Sequence, residues 1–222
     1  MLAGLIGGTD EAGRGCAIGA LVVASIAADE AALNAMKAIG VKDSKMLSTG
    51  RRVKLEPHIR KLAAYVAVVK ITVPMIVSRN LNTLEIMAMA EAINSLPTCT
   101  MYVDACESNA KKFEHKLARF VNNETLVIAE HRADVNHVSV SAASIIAKVE
   151  RDMMLEEVRK KAIDLGFPDM GTGYPGDQRT VQFLRAYAKS ESSVLDDQIR
   201  KNWGTWQQIT KKTARACQLS LQ

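Results

Sequence analysis

The sequence predicts an α/β fold around a partly parallel, mixed sheet. Three observations carry this. Leu5 and Ile6 lead into Gly7-Gly8-Thr9-Asp10-Glu11, and an uncharged run rich in Val, Ile and Ala over residues 17–28 follows, which reads as two strands joined in a hairpin around Gly13-Arg14-Gly15. Residues 100–105, 110–121 and 125–130 read as strand, helix and strand, a β-α-β unit whose strands must be parallel. From residue 141 onward apolar residues recur at helical spacing, so the chain ends in a helical part.

In chain order, Asp29 caps a short helix over residues 30–39 that stops at Gly40. Val41-Lys42-Asp43-Ser44-Lys45 is a polar loop before a helix from about Ser48, basic on its exposed face (Arg51, Arg52, Lys54, Arg60, Lys61) and expected to bend or break near Pro57. Residues 64–73 form a strand by β-branched density, ending at Pro74. A helix over residues 83–96 turns Leu84, Met87, Ala88 and Ala92 to the core, a methionine-rich stripe that reads as packing. The helix over residues 141–165 carries Ala142, Ile146, Val149 and Met153 on its apolar face, with Ser144, Lys148 and Asp152 as a polar stripe. A loop rich in glycine and proline over residues 166–177 precedes helices at about 178–188 and 203–217.

With 48% apolar residues among 222, a sizeable core is expected. No apolar run reaches the ~18 residues of a membrane span, and the run from Cys16 follows two acids where a signal peptide would have bases. Cys16, Cys99, Cys106 and Cys217 contain no CxxC, and His58, His115, His131 and His137 show no paired ligand spacing, so zinc is disfavoured and reduced thiols in a cytoplasmic protein are expected. The net charge of +5 equals the five bases after Asp197 (Arg200, Lys201, Lys211, Lys212, Arg215), where no acid occurs. A basic end on a neutral body suits a polyanion, or is simply a solvated basic helix.

Asp10 and Glu11 stand at the end of one strand, Asp104 ends another, and Asp134 follows a third. In open α/β sheets, sites gather at the carboxyl ends of such strands. Asp-Glu alone could be an exposed turn, and Asp104 alone could cap a turn. Together, four carboxylates without His or Cys partners suit a hard, oxygen-loving ion such as Mg²⁺. Two such ions would stabilise both the attacking and the leaving oxygens in phosphodiester cleavage. A glycosidase needs only two carboxylates and leaves the basic end unexplained. Gly-x-Ser-x-Gly and Walker motifs are absent.

Asp10-Glu11-Ala12-Gly13-Arg14-Gly15, Asp43-Ser44-Lys45, Val103-Asp104-Ala105, Ala133-Asp134, Ser141-Ala142-Ala143-Ser144-Ile145-Ile146-Ala147-Lys148 and Gly173-Tyr174-Pro175 occur in that order. This ordered set resembles ribonuclease HII in its archaeal form and covers nearly the whole chain. The resemblance implies an RNase H-like mixed five-stranded sheet flanked by helices. It also implies a single nuclease domain over residues 1–222, of which about 170–222 is a helical extension contributing to substrate binding. The implied activity is endonucleolytic cleavage of RNA in RNA/DNA hybrids and incision 5′ to single ribonucleotides in duplex DNA, with Mg²⁺ or Mn²⁺, two ions in the active complex, leaving 3′-hydroxyl and 5′-phosphate ends. By position, Asp10, Glu11, Asp104 and Asp134 match the catalytic, metal-binding carboxylates. Gly13, Arg14 and Gly15 match the segment that senses the ribose 2′-hydroxyl. Tyr174 matches the tyrosine that stacks on the neighbouring deoxyribose, and Ser44, Lys45 and Lys148 are assigned to substrate binding. Cys16 stands where the family commonly has proline, and Gly176 where archaeal relatives usually have serine. The acid pair begins at residue 10, leaving no room for the extra N-terminal domain of the related type 3 enzymes.

Asp152 is the rival fourth ligand. It lies nearly three turns into its helix, where it can pair with Lys148, and reads as structural. His131 and His137 read as support for the fold, with His137 close enough in sequence to Asp134 to touch the site. A catalytically silent hybrid-binding module and a DNA-junction nuclease of the same superfamily are the competing functions; added Mg²⁺ and an all-DNA control separate them. A monomer without membrane attachment is expected, and protein partners are open.

Overall fold

β1 (Ile6–Ala12) and β2 (Leu21–Ala28) pair antiparallel from Ile6↔Ala28 to Ala12↔Val22. All eight residues of β2 are buried, which accounts for its uncharged composition. β3 (Tyr65–Ile71), β4 (Thr100–Asp104) and β5 (Leu126–Glu130) complete a mixed five-stranded sheet in the order β3-β2-β1-β4-β5. β1 runs parallel to β4, and β4 to β5. The edge strands carry the exposed apolar side chains Tyr65 and Leu126. This computed structural model describes residues 4–190 and 192–219, with side chains to residue 211. Lys212, Arg215 and Cys217, named above, therefore lie outside the described side chains.

The chain divides into two compact units. The first comprises residues up to Ala12, Val22–Ile71 and Asn80–Glu150. It holds the sheet with α1 (Glu30–Ala38), α2 (Thr49–Leu62), α4 (Leu81–Asn94), α5 (Ala110–Ala118) and α6 (Ala133–Asn136), and the first half of α7 (Val138–Asp164). α4 packs on β3 and α5, and α5 on β5. The start of α7 crosses β1 at Gly8, where a Cβ would lie 2.1 Å from the Ser139 carbonyl carbon, so only glycine fits. Ser139 Oγ donates to the Gly7 carbonyl at 2.9 Å and fixes that crossing.

The second unit comprises Gly13–Leu21, Thr72–Arg79 and the chain from Arg151 on. It contains α3 (Val73–Ser78), the rest of α7, α8 (Gln178–Lys189) and α9 (Gly204–Leu219). Its core gathers Ile18, Leu155, Met170, Phe183, Leu184, Tyr187 and Ile199.

Several expectations need correction. Residues 17–20 are not strand: the segment is a buried loop, bridged at Ile18 to Ile199. Pro74 opens α3 and does not merely end β3, because its missing N–H costs nothing in a first helical turn. α2 continues through Pro57; the carbonyl left unpaired is that of Val53, a residue half exposed to water. Met87 and Met153 are exposed, and on α4 the inward place beside Leu84 belongs to Glu85, which is fully buried. The bases of α2 lie on its exposed face as expected, Arg52 being half-buried, and some also brace the fold: Arg51 donates to the Ile39 carbonyl, Arg52 to that of Leu47, and Arg60 pairs with Glu56 and Glu150.

Candidate active site

In the first unit, the registered pairs between β1 and β4 end at Thr9↔Val103, so Asp10 and Asp104 are the next residue of each strand. Parallel neighbours in register point to the same face, which brings the two carboxylates together. The Glu11 amide donates to Asp10 Oδ1 at 2.8 Å. Beyond β5, Arg132 adopts a left-handed conformation (φ 60°) and opens α6, which carries Asp134. The Ala133 amide donates to Asp104 Oδ1 at 2.9 Å, tying the Asp134 turn to the end of β4. Ser141 Oγ donates to the Asp134 carbonyl at 2.5 Å. Asp10 and Asp134 are almost wholly buried.

Burial, followed by the charges of Asp10, Glu85 and Asp104, pushes the Glu11 carboxyl well above the usual carboxylate range. Burial, followed by Asp10, raises Asp104 to about 6 despite the Ala133 amide and Lys45. Two ammonium groups offset this charge. Lys45 Nζ lies 3.1 Å from Asp134 Oδ2, and Lys148 Nζ 3.9 Å from Asp10 Oδ2. Burial opposes the charge on Lys45, but Asp134, Asp104 and Asp10 outweigh it and hold the ammonium above its ordinary range.

The Asp43-Ser44-Lys45 segment is a short 3-10 turn capped by Asp43, whose Oδ1 accepts from the Lys45 amide. Ser44 is fully buried, and its hydroxyl bonds Ser144 Oγ at 2.8 Å; Lys148 Nζ donates to the same Ser144 Oγ at 2.6 Å. Ser44 is thus an anchor beneath Lys45, and Lys148 leans on Ser144 and Asp10. Asp152, read as structural, meets Arg151 at 3.0 Å. His137 stacks on Tyr102 at 3.8 Å and meets Glu130 at 3.0 Å, and His131 meets the Ser108 carbonyl. Sequence reasoning missed Glu85, whose only signal was a lone acid inside the run Leu84-Glu85-Ile86-Met87-Ala88.

Among the described residues, no three acidic, His or Cys side chains stand in a metal-holding arrangement as placed. The donor set still fits a hard divalent cation. Glu11 Oε2 and Asp134 Oδ1 are buried without a hydrogen-bond partner, a costly state that a cation would relieve. Asp134 Oδ2 and Asp10 Oδ2 face the ammonium groups of Lys45 and Lys148, which already supply positive charge there.

In the second unit, Gly13 takes φ +91°, and a Cβ there would lie 2.6 Å from the Ala20 carbonyl oxygen. Arg14 is half-buried and Gly15 exposed. The Gly173 carbonyl accepts from the Ala17 amide at 2.8 Å, so the loops bearing Gly13-Arg14-Gly15 and Tyr174 are bound to each other. The Arg151 guanidinium lies 5.1 Å from the centre of the Tyr174 ring and donates to Cys16 Sγ and the Thr172 carbonyl. Burial, with Cys16 beside it, pushes the Tyr174 phenol up to about 12. The Cys16 thiol is fully buried, and burial raises it despite Arg151.

Of the five bases at the C-terminal end, two serve the fold and Lys211 is exposed. Arg200 is fully buried, and Lys201 pairs with Asp196 at 2.6 Å.

A family model described as Ribonuclease HII matches residues 7–206. Among curated proteins, the ribonuclease HII of Pyrococcus furiosus is 39% identical over 221 residues, covering 97% of this chain and 96% of that one. Among solved structures, ribonuclease H2 from Pyrococcus horikoshii OT3 superposes with a TM-score of 0.84 at 36% identity, covering 94% of this chain and 98% of that one. The RNase HII of Archaeoglobus fulgidus, solved in complex with PCNA, superposes with a TM-score of 0.80 at 34% identity, covering 92% of this chain and 96% of that one.

Proposed function

The chain belongs to the ribonuclease HII family of metal-dependent endoribonucleases acting on RNA/DNA hybrids, and from that premise we propose that it also incises duplex DNA on the 5′ side of single ribonucleotides. The products are a 3′-hydroxyl on the upstream DNA and a 5′-phosphate on the ribonucleotide. The observation that carries the reading is the meeting of Asp10 and Asp104 at the ends of adjacent parallel strands, with Asp134 tied to Asp104 through the Ala133 amide.

Asp10, Glu11, Asp104 and Asp134 would hold two divalent ions, Mg²⁺ or Mn²⁺. Such ions, when bound, stabilise the attacking and leaving oxygens of phosphodiester hydrolysis. The chain's own residues do the rest. The raised Glu11 and Asp104 must lose their protons to act as ligands. Lys45, set over the buried Ser44, turns from Asp134 to a substrate phosphate, and Lys148 neutralises Asp10. Gly13, Arg14 and Gly15 present amides and a guanidinium to the 2′-hydroxyl, and Tyr174 lays its ring on the sugar of the next nucleotide. We take the whole chain to act as one cytoplasmic, monomeric nuclease domain, its segment from about residue 170 contributing to substrate binding. None of its described helices is long and apolar enough to cross a membrane. The PCNA complex of the Archaeoglobus relative makes PCNA the protein partner to test.

The test is cleavage of an end-labelled RNA/DNA hybrid before and after Mg²⁺ is added to EDTA-treated protein. Mg²⁺-dependent cutting of the RNA strand, with an all-DNA duplex left intact, is expected. Binding without cutting, or cutting of the DNA control, would favour the competing functions.

A further inference from the structure

The charge that composition places in a solvated C-terminal end is, at Arg200, the largest fully buried side chain among the described residues. It is fully inaccessible, and no carboxylate pairs with it among the described residues. Its guanidinium gives its donors to backbone. Nη2 reaches the Gly13 carbonyl at 2.7 Å, and Nη1 the Arg14 carbonyl at 2.8 Å. Nε and Nη2 share the Gly19 carbonyl at 3.1 and 2.9 Å. The Trp203 ring lies 5.0 Å away, and the Arg200 amide donates to the Ala17 carbonyl at 3.0 Å. Burial pulls the guanidinium down to about 10, so it stays charged at neutral pH.

We propose that Arg200 is a positioning residue for reading the ribose: by holding the carbonyls of Gly13 and Arg14, it sets the direction in which the Gly13-Arg14-Gly15 loop presents its amides to the 2′-hydroxyl. The reason is peptide geometry. In a planar trans peptide the N–H points opposite the C=O, and the described chain has no cis bond. With the Gly13 and Arg14 carbonyls turned onto the guanidinium, the amides of Arg14 and Gly15 are turned away from it, and Gly15 is exposed. Gly13 and Gly15 leave the backbone free to adopt many other directions, so the loop needs an external brace. A planar fork holds the three carbonyls in fixed directions; an ammonium at the same place keeps the charge but not the geometry.

The inference rests on the proposed reading of that loop, and the experiment separates the two. Arg200→Lys and Arg14→Ala are made in the full chain, and KM and kcat are measured on a duplex carrying one ribonucleotide, with the Mg²⁺ midpoint and the melting temperature alongside. Arg200→Lys is expected to raise KM by about tenfold or more, the equivalent of one lost well-made contact, with the Mg²⁺ midpoint unchanged. A purely structural role would lower the melting temperature and leave the KM of the folded enzyme unchanged, and that result overturns the proposal. If Arg14→Ala leaves KM at the wild-type value, the loop does not read the ribose, and the proposal falls with that reading. If Arg14→Ala raises KM while Arg200→Lys does not, the reading stands and only the positioning role is lost. Should Arg200→Lys not fold, Trp203→Leu loosens the guanidinium while leaving its donors. A KM rise of about twofold or more supports the brace, and a wild-type KM refutes it.

Discussion

Asp104→Asn is expected to stabilise the metal-free protein while abolishing cleavage. The carboxyl is raised from 3.8 to about 6 by burial and by Asp10. A group raised above its unfolded-state value contributes stability below pH ~4 and loses it as pH climbs through about 6. Above that, the ionised form is held in a site that disfavours it. The rise is equivalent to about 3 kcal/mol. Asp104 is partly open to water, so screening reduces this to about 1–2 kcal/mol. Asparagine keeps an acceptor for the Ala133 amide, now 2.9 Å from Asp104 Oδ1, so the turn is retained. The assay is urea unfolding in EDTA at several pH values. The variant is expected to match wild type near pH 4 and to exceed it by about 1–2 kcal/mol at pH 8. With Mg²⁺ the order should reverse, because only the intact acid set binds the ion and gains from it. Equal stabilities at pH 8 without metal, or a variant weaker there than wild type, would refute the argument that these acids are held together against their repulsion.

Asp134→Asn is expected to reduce cleavage of a hybrid by orders of magnitude, and Asp152→Asn to retain far more activity; single-turnover rates in the opposite order would exchange their roles. Tyr174→Ala is expected to lower single-ribonucleotide incision about ten- to hundredfold, by analogy with aromatic–base stacking, and to lower cleavage within a long RNA tract less; equal losses on both substrates would make Tyr174 a loop support. Gly8→Ala, whose Cβ would meet the Ser139 carbonyl carbon at 2.1 Å, is expected to cost on the order of 3 kcal/mol in urea unfolding; unchanged stability would show that the start of α7 can move off β1.

The acid cluster was legible because its cause is local. Parallel strands in register carry equivalent positions side by side, so carboxylates at two strand ends had to meet. Lys45 was legible by motif, but its reach to Asp134 depends on the buried Ser44–Ser144 contact, which links residues a hundred positions apart. Arg200 was misread because composition counts charge without knowing where it lies. A guanidinium enclosed by the carbonyls of residues 13, 14 and 19 looks, in sequence, like any base near a C-terminus. The loop over residues 17–20 reads as strand in sequence because full burial makes an apolar loop resemble an apolar strand. Pro74 and Pro57 were read by their usual effects, and tertiary placement decided otherwise in both cases. Glu85 was hidden by its neighbours, an acid in an apolar stripe whose charge bears on Glu11.

The most direct test of the central claim is a denaturing gel of an end-labelled DNA duplex with one embedded ribonucleotide, incubated with the enzyme in Mg²⁺. A single cut on the 5′ side of the ribonucleotide is expected, leaving an upstream 3′-hydroxyl that a polymerase extends, with none in EDTA and none in the all-DNA duplex. An uncut duplex under conditions where a long RNA/DNA hybrid is cleaved would contradict the claim that this chain reads a lone ribose.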